Sequence, residues 1–128
     1  MAEKVDVGKI GWIDITVDDA GGLRDFYAKV VGWNPEDISM GEYSDFNMTM
    51  PASGDPAAGI CHARGGNADL PSCWLIYIVV EDAAQSARIC ADNGGKVLVQ
   101  PKSMGGGSFC VIEDPSGAVA ALYQPPAA

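Results

Sequence analysis

Two long stretches of this 128-residue sequence repeat each other. A strand-like segment at residues 13–17 leads into an acidic pair and an alanine, and residues 76–80 lead into the same pattern. The match continues without a gap through the next segment and ends on Gly32 in the first copy and Gly95 in the second. A gap-free correspondence of strand, helix and terminating glycine indicates duplication of one supersecondary unit.

Each copy carries the signals of one helix after its first strand. Asp18 or Asp19 is the expected N-cap of the first helix, because a carboxylate there accepts hydrogen bonds from unpaired backbone N–H groups. Apolar residues then recur at helical spacing, at Leu23, Phe26, Tyr27 and Val30. The second helix has a stripe of small residues that predicts close packing on its sheet: Ala83, Ala84, Ala87, Cys90 and Ala91. Glycine is expected to end both helices, at Gly32 and at Gly94-Gly95.

Three short strand candidates follow each helix. They are residues 37–40, 43–50 and 57–63 in the first copy, and residues 96–102, 108–113 and 118–124 in the second. The sequence Asp-Pro-Ser-Gly at 114–117 is typical of a type I turn before the last strand. Each copy therefore predicts the order βαβββ. We expect one α+β domain, with module one at about residues 8–64, a linker at about 65–70 and module two at about 71–125.

Charge and cysteine content restrict the possible partners. The formal net charge is -9 and the acidic residues are dispersed, which argues against binding to nucleic acid. No stretch approaches the roughly 20 apolar residues of a membrane span, and the N-terminus lacks a secretory pattern. Four scattered cysteines without a CxxC pair predict reduced thiols, and hence a cytoplasmic protein without a membrane partner: Cys61, Cys73, Cys90 and Cys110.

The tandem βαβββ pattern with its Asp-Pro-Ser-Gly turn resembles the vicinal oxygen chelate superfamily. This group includes glyoxalase I, bleomycin-resistance proteins and extradiol dioxygenases, and the likeness is greatest to short bacterial proteins related to lactoylglutathione lyase. The matching segments are residues 12–17, 25–28 with 31–33, 94–97 and 114–117, and the resemblance extends over roughly residues 8–125. It implies one curved mixed sheet with helices on the outer face and a ligand cavity inside.

Strand alternation predicts which residues face that cavity. The apolar row in each first strand should face its helix, namely Ile13, Ile15 and Val17, and Ile76, Ile78 and Val80. Trp12, Asp14 and Thr16 would then face the cavity, as would Leu75, Tyr77 and Val79. The predicted ligand-binding residues are Trp12, Asn47, Leu75, Tyr77, Phe109, Ala121 and Tyr123. The aromatic members favour an apolar or aromatic small molecule, although aromatic side chains could equally fill a core without a ligand.

The metal-dependent relatives take their ligands from the first and last strands of each unit. The resemblance places three of these positions at Trp12, Leu75 and Ala121, and the fourth near Cys61 or His62. A divalent cation needs three or four nitrogen, oxygen or sulfur donors. Tryptophan, leucine and alanine side chains cannot supply them, so we expect no metal site and no cofactor.

Two residues are candidate acid/base groups. Asp14 lies between apolar residues on a central strand, where it could act as a general base or ligand anchor, or could serve a structural hydrogen bond. His62 is the only histidine, and it is either a proton-transfer group near neutral pH or a solvated side chain.

These features favour a metal-free, small-molecule-binding protein of the glyoxalase/bleomycin-resistance type. The alternatives are a metal-dependent lyase, isomerase or dioxygenase, and a metal-free enzyme that uses Asp14 or His62. Whether the chain is an enzyme stays open at this point. The symmetric assembly of many relatives also predicts a homodimer, with Trp33 and Leu70 contributing apolar contact area.

Overall fold

The computed structural model describes residues 6–127, and the chain forms two compact units. One unit is Ile13–Trp74, and it corresponds to most of the predicted module one. The other joins the residues up to Trp12 with those from Leu75 onward, and it corresponds to most of the predicted module two. From here on, module one and module two mean these two units, so Trp12 belongs to module two.

Module one follows the order strand, helix and three strands. Its elements are β1 (Ile10–Val17, of which the first three residues belong to module two), α1 (Ala20–Val31), β2 (Asn34–Ser39), β3 (Ser44–Thr49) and β4 (Pro56–His62). The strands lie in the order β2-β3-β4-β1, and β4 runs parallel to β1 while the other pairs are antiparallel. A short 3-10 helix, Gly65–Asn67, lies in the predicted linker.

Module two repeats this arrangement. Its elements are β5 (Leu75–Val79), α2 (Ala83–Asp92), β6 (Lys96–Met104), β7 (Gly107–Glu113) and β8 (Val119–Gln124). The strands lie in the order β5-β8-β7-β6, with β8 parallel to β5. The α+β class and the duplicated βαβββ order are therefore confirmed. No helix within residues 6–127 is long and apolar enough to cross a membrane.

The two modules have the same strand register. In module one, Asp14 on β1 is paired with Gly59 on β4, and Asn47 on β3 is paired with the same glycine. In module two, Tyr77 is the repeat equivalent of Asp14 and is paired with Ala121, which also faces Val111 on β7. Gly59 and Ala121 are therefore equivalent positions in the two ladders.

Both helices have the expected caps. The Asp19 side chain accepts a hydrogen bond from the Gly22 N–H at 2.9 Å, so Asp19 rather than Asp18 is the N-cap of α1. Gly32 ends this helix in the left-handed conformation, with φ of 88°. Asp82 caps α2 by accepting from the Gln85 N–H at 3.0 Å. The C-cap of α2 is Asn93, just ahead of the predicted Gly94-Gly95 stop.

The core of module one lies between α1 and its sheet. It is built from buried residues of three strands and the helix, namely Ile15, Ala20, Phe46, Met48 and Ile60. Leu23 and Tyr27 pack against it as predicted, but Phe26 and Val30 are 53% and 63% exposed. The predicted apolar stripe was too wide, because only the side of α1 that carries Ala20, Leu23 and Tyr27 rests on the sheet.

Among the strands that extend beyond the predicted ranges, β2 and β6 show why. β2 begins at Asn34 rather than residue 37, because Asn34 is paired with Thr49 at the far end of β3. Asparagine and proline are weak strand formers, so here the pairing partner overrides local preference. β6 continues to Met104 because that residue is paired with Gly107 across a tight turn.

Candidate functional site

Module two contains an apolar pocket of about 210 Å³. It is lined by Gly11, Trp12, Tyr77, Val79, Met104 and Tyr123. Tyr77 and Val79 alternate along β5 with Ile78, which packs against the core on the α2 side. The pocket therefore lies on the strand face that points away from the helix, the face on which the sequence predicts ligand-binding residues.

Three aromatic residues share this face of module two. Phe109 and Tyr123 are directly paired across β7 and β8, and Val79 is paired with Tyr123 on the other side. The Tyr77 and Phe109 rings are 6.4 Å apart and tilted by 46°. Both are buried, and the Lys102 ammonium nitrogen lies 5.6 Å from the centre of the Phe109 ring. Such cross-strand pairs hold the rings in fixed positions.

The other predicted ligand-binding residues of module two are buried in the sheet. Leu75 is 1% exposed and Ala121 is fully buried. Ala121 is paired with Tyr77 and with Val111, so its small side chain lies among larger neighbours. Trp12, Tyr77 and Tyr123 line the pocket itself, and Phe109 stands beside Tyr77.

Met104 is a pocket residue that the sequence analysis did not predict. It ends β6, and a two-residue turn of Gly105 and Gly106 connects it to its partner Gly107. Both turn glycines have positive φ, of 56° and 89°, as a type I′ hairpin turn requires. The Gly-Gly-Gly sequence after Met104 was the available signal, because a tight hairpin there brings the preceding residue to the strand end.

The corresponding face of module one is polar instead of aromatic. Asp14, Asp45 and Cys61 occupy the ladder positions that Tyr77, Phe109 and Tyr123 occupy in module two. The two carboxylates are only 7% and 6% exposed. Asn47 and Asp14 lie on either side of Gly59 in a row across three strands, and Asn47 is half-buried.

Cys61 is held as a neutral thiol on this face. Burial raises its pKa to about 12, and the negative charges of Asp14 and Asp45 add to the effect. A thiol with such a pKa is not a nucleophile at neutral pH. The same surroundings indicate that Asp14, Asp45 and Cys61 lie near one another.

Asp45 also holds His62. Its Oδ1 atom accepts a hydrogen bond from the His62 backbone N–H at 2.8 Å and lies 3.3 Å from His62 Nδ1. The imidazole ring lies 5.3 Å from the Tyr43 ring and 6.1 Å from the Phe46 ring. Phe46 belongs to the core under α1, whereas Asp45 lies on the opposite face, so the imidazole contacts residues of both faces at the end of β4. His62 is paired with Val17, three residues beyond Asp14 on β1, so the structure does not bring the two predicted acid/base residues together.

The sequence analysis did not single out Asp45. Its contact with His62 depends on the β3–β4 register, which pairs Phe46 with Ile60. The spacing of residues along each strand does not predict that register, because the register depends on the conformation of the turn at residues 50–55. The acidic residue within an otherwise strand-like segment was the only available signal.

Comparison with known sequences identifies the family. The sequence profile of the Glyoxalase/Bleomycin resistance protein/Dioxygenase superfamily matches residues 9–122. The chain belongs to this superfamily. It is 26% identical over 121 residues to "Putative glyoxylase CFP32" of Mycobacterium bovis, which covers 94% of the chain and 45% of that protein. It is 28% identical over 111 residues to the anthracycline biosynthesis protein DnrV of Streptomyces peucetius, covering 87% of the chain and 39% of that protein.

The chain thus spans less than half the length of these two curated relatives. Among solved structures, methylmalonyl-CoA epimerase of Mycobacterium tuberculosis matches with a TM-score of 0.54 and 16% identity. That match covers 98% of the chain and 93% of the epimerase. At this identity the likeness extends to the fold alone.

The superfamily's divalent metal does not fit the residues present. Gly59 is the module-one equivalent of Ala121, so Gly59 occupies the fourth metal-ligand position. The sequence-based prediction of Cys61 or His62 for this position is wrong. Trp12, Leu75, Gly59 and Ala121 offer no nitrogen, oxygen or sulfur donor suited to a metal ion. Nowhere in the described part of the chain do three His, Cys, Asp or Glu side chains converge as a metal site would require.

Proposed function

We propose that the chain binds a small, neutral aromatic molecule in the module-two pocket, without a metal ion. The observation that carries this proposal is the pocket lined by Trp12, Tyr77 and Tyr123, with Met104 as an adaptable wall. None of the lining residues is charged, which favours a neutral ligand. A relative named for anthracycline biosynthesis lends support, since anthracyclines are polycyclic aromatic compounds.

The size of the pocket sets the expected affinity. An aromatic ring that buries about 150 Å² of apolar surface gains about 4 kcal/mol. That free energy corresponds to a Kd of about 1 mM. Ligands with one ring should therefore bind in the millimolar range, and a larger ligand needs further contacts to bind more tightly.

Thermal-shift titration with phenol, indole and 2-naphthol tests this proposal. We expect a saturable increase in Tm and a change in Trp12 fluorescence in a variant that keeps Trp12 as its only tryptophan. Tyr123→Ala should abolish the change in Trp12 fluorescence, whereas Tyr43→Ala in module one should retain it. If none of the three compounds stabilises the protein at about 10 mM, roughly ten times the expected Kd, the proposal is wrong.

A second function, metal-free proton transfer by His62, is favoured by the Asp45 contact. If Nδ1–H donates to Asp45 Oδ1, the Nε2 atom carries the lone pair and can accept a proton. Asp45 would then be a positioning residue for His62. Nitrogen-15 NMR tests this arrangement: the Nδ1–H tautomer should predominate in the unmodified chain and lose its preference in Asp45→Asn. Unchanged tautomer populations in that variant would contradict it.

We also propose that the protein works in the cytoplasm as a homodimer. All four cysteines are free thiols, which supports a reducing compartment. Leu70 is only 7% exposed and offers little area to a partner, whereas Trp33 is half-buried and lines a surface pocket. Light scattering that finds only monomers at micromolar concentration would rule the dimer out.

A further inference from the structure

Module one has a second apolar pocket, on the side of its sheet that carries α1. The pocket has a volume of about 290 Å³ and is lined by Ile13, Tyr27, Trp33, Ala57, Ala58 and Trp74. Tyr27 and Trp33 come from the end of α1 and the residues after it, while Trp74 ends the unit. We propose that module one binds a neutral two-ring aromatic molecule in this pocket, which is a different site from the module-two pocket.

The three aromatic rings of this pocket contact one another. Tyr27 and Trp74 meet at 5.4 Å and 74°, and Trp33 and Trp74 meet at 6.2 Å and 75°. Edge-to-face pairs at these distances are in contact, so the three rings form one packed cluster. They form one continuous aromatic wall, and the two alanines and Ile13 complete an aliphatic lining.

The aromatic side chains of this wall are uncharged, and the indole N–H of Trp74 has its hydrogen-bond partner within the wall. The Trp74 indole N–H donates to the Tyr27 hydroxyl oxygen at 3.0 Å, so the indole does not require a polar ligand atom. No charged side chain lines the pocket. A ligand here gains by burying apolar surface and by stacking, which favours an uncharged aromatic compound.

The volume specifies the size of the ligand. An enclosed apolar cavity of about 150 Å³ can bind benzene. The module-one pocket is open to solvent on one side and has a volume of about 290 Å³, which gives room for a two-ring system.

Comparison of the two modules indicates that the strand ladder does not require the aromatic wall. The module-two equivalents of Tyr27 and Trp33 are Cys90 and Lys96, and they occupy the same places at the end of α2 and the start of β6. Module two forms the same strand ladder without these rings. The strand ladder therefore does not depend on these rings, which in module one pack against the core and also line the pocket.

Proton–nitrogen-15 NMR of the full chain with 2-naphthol tests the proposal. The three tryptophan indole N–H signals can be assigned from Trp12→Phe, Trp33→Phe and Trp74→Phe. We expect saturable shifts of the Trp33 and Trp74 signals in the unmodified chain. In Tyr123→Ala, which removes a wall of the module-two pocket, these shifts should persist, so the two sites can fail or succeed independently.

A pair of substitutions at Ala57 provides the matched control. Ala57→Leu fills the pocket and should weaken binding at least about tenfold, whereas Ala57→Ser keeps it open and should change the affinity less than about threefold. Well-dispersed Trp33 and Trp74 signals without ligand would verify that module one of each variant is folded. Three results would overturn the proposal: shifts of the Trp12 signal alone, no Trp33 or Trp74 shift at several millimolar 2-naphthol, or shifts with protein concentration in the absence of ligand, which would mean that a second copy covers the pocket.

Discussion

Asp14, Asp45 and Cys61 stand at the same ladder positions in module one as the aromatic side chains of module two. Position in the repeat therefore does not determine chemistry. Burial keeps the Cys61 thiol neutral, and the negative charges of the two nearby carboxylates add to this effect. Module two has no such charges in its pocket lining.

The Cys61 thiol should react slowly with iodoacetamide. With a pKa of about 12, about one molecule in 10,000 carries the thiolate at pH 8. Asp45→Asn removes a nearby negative charge and should lower the Cys61 pKa, which raises the alkylation rate a few-fold. Mass spectrometry of the Cys61 peptide over time measures this rate.

The matched control is Asp55→Asn, which changes the charge equally in an exposed turn outside this cluster. Equal rates for Asp45→Asn and Asp55→Asn would show that Asp45 does not act on the thiol.

Sequence alone was enough to sort single residues by face. Alternation along β1 and β5 put Ile15 and Ile78 on the helix side and Tyr77 on the other, and the core and the pocket agree. The partners of Asp45 and Gly59 could not be predicted from the sequence, because they depend on which residues of neighbouring strands are paired.

At the scale of elements, the start of α1 carries two successive glycines in different surroundings. A Cβ atom on Gly21 would meet no atom nearer than 3.9 Å. A Cβ atom on Gly22 would collide with the Asp19 carboxylate, which caps the helix by accepting from the Gly22 N–H. The same substitution one residue apart therefore affects the helix in different ways.

We expect Gly21→Ala to stabilise the protein by about 0.5–1 kcal/mol, because alanine loses less conformational freedom in a helix. Gly22→Ala should bring no such gain, since displacing the cap costs about 1 kcal/mol and offsets the helix preference. Urea unfolding of both variants measures the difference. Equal stabilisation by the two substitutions would mean that the Asp19 cap contributes nothing.

The Asp114–Gly117 turn should make stability depend on pH. Hydrogen bonds from the Ser116 hydroxyl and backbone N–H, and from the Ala118 N–H, hold the pKa of Asp114 below its ordinary value of 3.8. A lowered carboxyl pKa contributes stability that is present above that ordinary value and is lost as the pH falls through the lowered one.

The variant Asp114→Asn should therefore have a lower Tm than the unmodified chain at pH 7. This difference should shrink on acidification from pH 4 to pH 2, which calorimetry across this range would measure. A gap in Tm that is constant with pH would assign the effect to something other than the charge.

Elements were predictable where local signals end them. Asp19, Gly32 and the Asp-Pro-Ser-Gly turn gave correct boundaries, because caps and turns act over a few residues. The start of β2 and the exposure of Phe26 and Val30 were not predictable in this way, since each depends on packing partners that are distant in sequence.

At the scale of the whole molecule, the chain belongs to a superfamily with metal-dependent members, yet its equivalent positions lack donors. We expect elemental analysis of protein purified without chelators to find less than about 0.1 Ni, Zn, Fe or Mn per chain. The Tm should also be the same with and without EDTA, because a bound metal would stabilise the fold by mass action. A stoichiometric metal, or a Tm lowered by EDTA, would restore the metal-dependent alternatives.

The register that β1, β4 and β3 share with β5, β8 and β7 at these positions has a practical consequence for engineering. Asp14, Asp45 and Cys61 of module one occupy the backbone positions that Tyr77, Phe109 and Tyr123, in that order, occupy in module two. Side chains can therefore be exchanged between the halves of one polypeptide as between two homologous scaffolds. The chain contains its own template for redesign.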